Sequence, residues 1–188
     1  MIKDYSLYYS YKNIGDVLLI VINNDEKTTK VENYNNVFLL FNNKDELIGI
    51  NIFNISKLMK IKGEGQIYLP NKILIDVINN VLLKITGISL EYKNDSGYVI
   101  GEVVENTNAT IKVSTNEQIY EFINDHYSVS NNDKVVILKP NYYLNNGKKI
   151  QKNGHLCTEK DLSISDNDKL FTCYDKIEIG TDFFKLRS

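Results

Sequence analysis

The sequence predicts two small domains in tandem, an α+β domain followed by an all-β domain. Short apolar segments of strand length fill the first third of the chain, and a segment with helical periodicity follows them. Short strands then resume after a polar stretch that ends at Gly97. We therefore expect domains at residues 1–95 and 96–188. With 188 residues and 43% hydrophobic content, the chain is long enough for one ordinary domain or two small ones with a buried core.

Four strands are predicted before the helix, because β-branched and aromatic residues cluster between groups of Asn, Asp and Gly. The second is a nearly unbroken apolar run, which is typical of a strand that is covered on both faces or of an edge strand that packs under a helix. The four segments are "YSLYYSY" from Tyr5, "DVLLIVI" from Asp16, "NVFLLF" from Asn36 and "ELIGINIFNI" from Glu46.

The segment "LPNKILIDVINNVLLKITG" is predicted to be an amphipathic helix that packs against a sheet. Pro70 near its first turn and Gly87 at its end match the signals with which helices start and stop. The predicted apolar stripe follows a four-residue spacing and is widened by neighbouring positions: Ile73, Val77, Val81 and Ile85, with Leu74, Ile78 and Leu82.

The second half contains about five short strands with turn-rich connections and no competing helical period. This spacing is typical of a small β-barrel or β-sandwich. The segments are "YVIGEVV", "TIKVST", "QIYEFIN", "KVVILK" and "KLFTCY".

Composition excludes several classes of protein. The formal net charge of −2 excludes a globally basic nucleic-acid binder, although a local basic face is compatible with it. No run of about 18 apolar residues is present, so we expect no membrane-spanning segment. Two cysteines, Cys157 and Cys173, do not make the disulfide framework of a small secreted protein. We expect a cytoplasmic protein with free thiols.

His155 and Cys157 stand close together in "KNGHLCTEKDL" and raise the question of reactive chemistry. A structural zinc site needs about four ligands, and the His and Cys residues here form no C-x-x-C or H-x-x-x-H pair, so we expect no metal. A thiol nucleophile would need a base that folding alone could supply. The simpler interpretation makes Cys157 a buried apolar residue. Gly63 and Gly65 lack the spacing of a phosphate-binding loop, and we expect no cofactor.

A basic stretch runs from Lys139 to Lys160, where five lysines stand against Glu159 alone. Tyr142 and Tyr143 lie within it. Lysines can bind backbone phosphates while aromatic rings stack on unpaired bases, so the pattern is typical of an RNA-binding surface. It is also typical of an ordinary exposed hairpin turn, which is the interpretation that composition alone favours.

Three segments in order resemble the YtpR-like tRNA-binding proteins of Gram-positive bacteria. These are "IGDVLLIVI", "VFLLFNNKDELIGINIFNISKLMKIKGEGQIYLPNKILIDVINNVL" and "YVIGEVVE", of which "NIFNIS" is the most specific part. The resemblance implies an N-terminal domain of YtpR type. It further implies a C-terminal OB-fold barrel similar to the EMAP II-like tRNA-binding domains.

Near the end of that barrel the family pattern is approximately S-x-G-M-I-C-S-x-x-E-L, and here it stands as "KNGHLCTEKDL". Gly154, Cys157, Thr158 and Leu162 keep the residue type, while His155 takes the methionine position. One departure is the absence of the family's H-P-x-A-D-K-L motif after the first barrel strand, where this chain has "VVENTNATIKVST".

The sequence and the resemblance together predict a non-catalytic protein that binds tRNA or another structured RNA through the OB-fold. The alternative, favoured by the missing motif and the net acidic barrel, is a protein-interaction module that recruits a synthetase, a ribosomal protein or a second copy of itself. An enzyme is the third hypothesis and rests only on His155 and Cys157. The predicted RNA-binding residues are Lys139, Tyr142, Tyr143, Lys148, Lys149, Lys152, Asn153 and Thr158.

Overall fold

The computed structural model describes residues 1–173 and 176–187, and the chain in it divides into two compact units. The N-terminal unit comprises Met1–Asn94 together with residues 146–148. The C-terminal unit comprises Asp95–Asn145 and Lys149–Ser188. Each unit has its own six-stranded sheet and its own cluster of buried apolar side chains.

The N-terminal unit is a fully antiparallel sheet with strand order β3-β4-β5-β2-β1-β6. Its central strand β2 carries the apolar run of the sequence, and Leu18 and Ile20 are almost completely buried. A single turn of helix, α1 (Tyr11–Ile14), follows β1. The strands are β1 (Ser6–Tyr9), β2 (Val17–Val21), β3 (Lys30–Tyr34), β4 (Val37–Phe41), β5 (Leu47–Phe53) and β6 (Gly65–Gln66).

Helix α2 (Lys72–Thr86) forms where the periodicity predicts it. The side chain of Asn71 caps its N-terminus by accepting a hydrogen bond from the Leu74 amide at 2.8 Å. Gly87 ends it in the left-handed conformation, with φ +70°.

The apolar stripe of α2 is rotated from the predicted one. Ile73 is 68% exposed and Ile85 is also exposed, whereas Ile75, which the prediction omitted, is 1% exposed. The four-residue spacing drifts around a helix with 3.6 residues per turn, so the packed face follows a mixed three- and four-residue spacing. The buried side chains are Leu74, Ile75, Ile78 and Leu82, which join the same core cluster as the strands.

The C-terminal unit is a nearly closed, barrel-like antiparallel sheet with order β11-β10-β7-β8-β9, and β12 pairs with the other end of β10. Gly101 on β7 lets β8 approach closely, because an added Cβ would lie 2.6 Å from a methyl group of Val113. The strands are β7 (Tyr98–Asn106), β8 (Thr110–Ser114), β9 (Ile119–Ile123), β10 (Lys134–Leu138), β11 (His155–Leu156) and β12 (Thr172–Cys173).

Three strands have no counterpart in the prediction, namely β3, β6 and β11. Strand β3 is an edge strand whose residues are largely exposed, so its sequence "KVENY" lacks apolar alternation. The last predicted strand, "KLFTCY", is reduced to Thr172–Cys173, and its Tyr174 lies outside the described residues. No helix in the described part of the chain is long and apolar enough to span a membrane.

Removal of the helix cap tests how α2 is stabilised. We expect Asn71→Ala to lower the free energy of unfolding of the N-terminal unit by about 1 kcal/mol, because the Leu74 amide loses its acceptor. Asn80→Ala is the matched control, since Asn80 is exposed within the helix and alanine has the higher helix propensity there. Urea unfolding, followed by far-ultraviolet circular dichroism, measures the free energy of unfolding of the two variants. Equal stability of the two variants would contradict the stabilising role of the Asn71 cap.

Candidate nucleic-acid interface

The predicted RNA-binding residues lie on and around the long connection between β10 and β11. Lys139 directly follows β10, and Thr158 follows β11. The connection folds back on itself, with bridge pairing between Tyr143 and Lys149. The segment is therefore an ordered part of the fold.

Lys139 is less available for contact with a phosphate than the sequence suggests. Its ammonium group lies 2.9 Å from a carboxylate oxygen of Glu117, and 27% of its side chain is exposed. Because the ion pair neutralises the lysine locally, Lys139 contributes less to a positive surface than its sequence neighbourhood indicates.

Tyr142 packs against the start of β7. Its hydroxyl donates a hydrogen bond to the Asp95 carboxylate, and its ring lies on Gly97. A Cβ at Gly97 would fall 2.1 Å from the ring atom Cγ, and Gly97 has φ +78°, so only glycine fits under this ring. One face of Tyr142 is therefore occupied by the protein.

Tyr143 is only 3% exposed, which leaves its ring without an accessible face for base stacking. Its carbonyl oxygen accepts a hydrogen bond of 3.1 Å from the Tyr98 hydroxyl. The predicted role of Tyr143 as a stacking residue thus has no support in the geometry, because Tyr143 belongs to the buried core.

Lys148 and Lys149 stand at the turn of the connection. Lys148 is exposed, and its amide donates to the Asn146 side chain at 3.0 Å. Residues 146–148 group with the N-terminal unit, whereas Lys149 belongs to the C-terminal unit.

Lys152 and Asn153 are both exposed and line one side of an open cleft of about 470 Å³. The opposite wall is strand β9 with Gln118 and Glu121. The structure thus brings together two of the predicted residues, the cation of Lys152 and the amide of Asn153. They lie beside β9, which among the described residues pairs with another strand on one side only. The cleft lies where the barrel-like sheet stops short of closing.

Aromatic rings on β9 are the residues that sequence reasoning missed. Tyr120 and Phe122 both line the cleft, and their rings are nearly parallel at 6.2 Å between centroids. Phe122 is half-buried, whereas Tyr120 is 5% exposed and packs beside Gly154. The segment "QIYEFIN" is predicted only as a strand, and the alternation of Tyr120 and Phe122 along it is the sequence signal that indicates an aromatic surface.

Thr158 is turned toward the protein. Its amide and hydroxyl donate to Asp161 Oδ2 at 2.8 and 2.9 Å, and His155 Nε2 lies 3.0 Å from the same oxygen. Burial opposes ionisation of Asp161, but these hydrogen bonds outweigh it and lower the pKa of the carboxyl group. The predicted hydroxyl donor is therefore engaged within a turn that Asp161 organises.

His155 and Cys157 do not form a reactive pair. Cys157 is completely buried, and its thiol hydrogen bonds weakly to the His155 carbonyl oxygen at 3.7 Å instead of to the imidazole. Burial raises the pKa of the Cys157 thiol well above its ordinary value of 9.0. Within residues 1–173 and 176–187, no cluster of His, Cys, Asp or Glu could hold a metal ion.

Two comparisons relate the chain to known proteins. Residues 11–95 match a family described as a domain of unknown function, DUF4479, which covers less than half of the chain. A protein of Bacillus subtilis (strain 168) with the name "Putative tRNA-binding protein YtpR" is 26% identical over 178 residues. That match spans 85% of this chain and 88% of the relative, so both units take part in the similarity.

Thiol labelling tests the inert character of the cysteines. Burial also raises the pKa of Cys173, to about 11, so both thiols stay protonated at neutral pH and react slowly. We expect iodoacetamide at pH 7 to leave both largely unlabelled in the folded protein and to label both in urea, as measured by mass spectrometry. Rapid labelling of Cys157 in the folded protein would instead support a nucleophilic role.

Proposed function

We propose that the protein is a non-catalytic RNA-binding protein that binds tRNA through its C-terminal unit. The observation that carries this proposal is the similarity to a relative named for tRNA binding, which extends over most of both chains. The buried, protonated state of Cys157 argues against thiol catalysis.

The C-terminal unit is proposed to be an OB-fold of the EMAP II-like type that follows an α+β domain of YtpR type, with the domain boundary at residues 95/96. Five short antiparallel strands in the order β11-β10-β7-β8-β9, to which β12 adds a further pairing on β10, form a nearly closed sheet that is compatible with this architecture. The division of the chain after Asn94 supports the boundary.

The cleft beside β9 is the proposed RNA site. Lys152 is exposed and forms no ion pair within the described residues, so its ammonium group is free to contact a phosphate. Asn153 can donate a hydrogen bond from its amide to a phosphate or a base edge. Phe122 offers a half-buried aromatic surface on the opposite wall. Lys149 lies close in sequence and extends the same basic segment.

Titration of fluorescently labelled, unfractionated bacterial tRNA into the full chain tests the proposal. With three or four phosphate contacts, the affinity should fall with salt at a log–log slope of about −2 to −3. We expect Lys152→Gln combined with Asn153→Ala to weaken binding severalfold and to reduce the magnitude of the slope by about 0.7. Fluorescence anisotropy at several salt concentrations provides both numbers.

Lys160→Gln is the matched control for this experiment. It also removes one positive charge from the C-terminal unit, but Lys160 pairs with Asp168 at 3.6 Å and does not line the cleft. Its affinity and slope should equal those of the unmodified protein. Absence of tRNA binding at low salt would overturn the proposal.

A second candidate function is recruitment of a protein partner along β9. This strand is an edge of the sheet, and Ile119 and Ile123 are 62% and 82% exposed on it. Exposed aliphatic side chains on an edge strand favour addition of an extended peptide. Capture of partners after nuclease treatment separates the candidates: partners that persist, and that Ile123→Lys releases, favour this function, whereas partners lost with the RNA favour tRNA binding.

A further inference from the structure

We propose that the N-terminal unit also contacts the phosphate backbone of RNA, through a basic surface formed by Lys57, Lys60 and Lys62. This inference rests on the proposed RNA-binding function and adds a second contact surface to it. The three lysines belong to the six-residue segment "KLMKIK", and all three are exposed.

The start of this segment is fixed by the "NIFNIS" motif. Asn54 adopts the left-handed conformation with φ 55°, and its amide donates to the Asp16 carbonyl at 2.7 Å. Ser56 then donates twice to the Asp16 carboxylate, from its amide at 3.1 Å and from its hydroxyl at 2.6 Å. Ile55 between them is completely buried. The chain therefore leaves the core at a defined point, immediately before Lys57.

The end of the segment is fixed as well. Gly65 and Gln66 pair with β1 as strand β6, and the Ile67 amide donates to the Leu7 carbonyl at 2.8 Å. Between the two anchors, Met59 and Ile61 pack against the hydrophobic core. Lys60 and Lys62 alternate with these two residues along the chain. Because Met59 and Ile61 point toward the core, the two lysines point outward and are exposed.

The lysines keep their charge available. Among the described residues, none of the three forms an ion pair, whereas other lysines of the unit do. The acidic residue nearest to the segment in the sequence is Glu64. An ammonium group without a local carboxylate partner is the kind that binds phosphate and releases counterions.

Lys60 and Lys62 also line a concave surface. A cleft of about 370 Å³ lies between their segment and the first turn of α2, with Asn71 on its rim. The first turn of α2 carries no acidic residue, so the positive end of the helix dipole adds to the lysine charges. A curved, positively charged surface of this kind suits a phosphate-rich chain.

The triple variant Lys57→Gln, Lys60→Gln, Lys62→Gln of the full chain tests the inference. We expect its affinity for unfractionated bacterial tRNA to fall about tenfold or more at low salt, and the magnitude of the log–log salt slope to fall by about 0.7 for each lysine that contacts a phosphate. The matched control replaces Lys3, Lys30 and Lys93 by Gln. It removes the same charge from the same unit at lysines that are already ion-paired and do not line the cleft, and we expect little change. Circular dichroism verifies that both variants are folded.

The outcomes separate this inference from the function on which it rests. If the triple variant binds like its control while the Lys152 and Asn153 variant is weakened, the inference is overturned and the proposed function stands. Weakening of the triple variant alone supports the inference and removes the C-terminal cleft as the RNA site. Failure of the unmodified protein to bind tRNA at low salt overturns both.

A lipid surface is the competing partner for a basic segment with an exposed apolar residue, here Leu58 at 51% exposure. Co-sedimentation with phosphatidylglycerol vesicles tests it. Vesicle binding that the triple variant loses, together with unchanged tRNA binding, would overturn the inference in favour of a membrane.

Discussion

Strand β10 is the element on which the C-terminal unit depends, because it pairs with three other strands. It pairs along its whole length with β7, and β11 and β12 pair with its opposite ends. Val135, Val136, Ile137 and Leu138 are all completely buried. A strand with ladders on both sides and apolar contacts on both faces permits little adjustment, so the connection that follows Leu138 starts from a fixed position.

That fixed start explains why the residues after β10 differ so much in their exposure to a ligand. Tyr142 and Tyr143 lie close to the end of the strand and are drawn into contacts with Gly97 and Tyr98 at the start of β7. Lys152 and Asn153 lie on the far part of the connection and remain exposed beside β9. The difference between these two pairs follows from where they pack, one pair against the start of β7 and the other beside β9.

The sequence predicts the strands and the helix well because apolar periodicity is a local property. It fails where the outcome depends on residues distant in sequence. The pairing of Lys139 with Glu117 and the burial of Tyr143 follow from how strands meet. The basic segment at Lys57–Lys62 is not predicted as a binding surface from the sequence, because only the structure reveals that its lysines form no ion pair among the described residues.

The open edge at β9 also bears on self-association. An unpaired edge strand with exposed aliphatic residues invites pairing with the same strand of another molecule. Glu121 sits between Ile119 and Ile123 and is exposed. Antiparallel pairing of two such edges about Glu121 would place two carboxylates directly opposite each other, which is destabilising. One acidic residue in the middle of the strand thus disfavours the symmetric pairing of two β9 edges centred on Glu121.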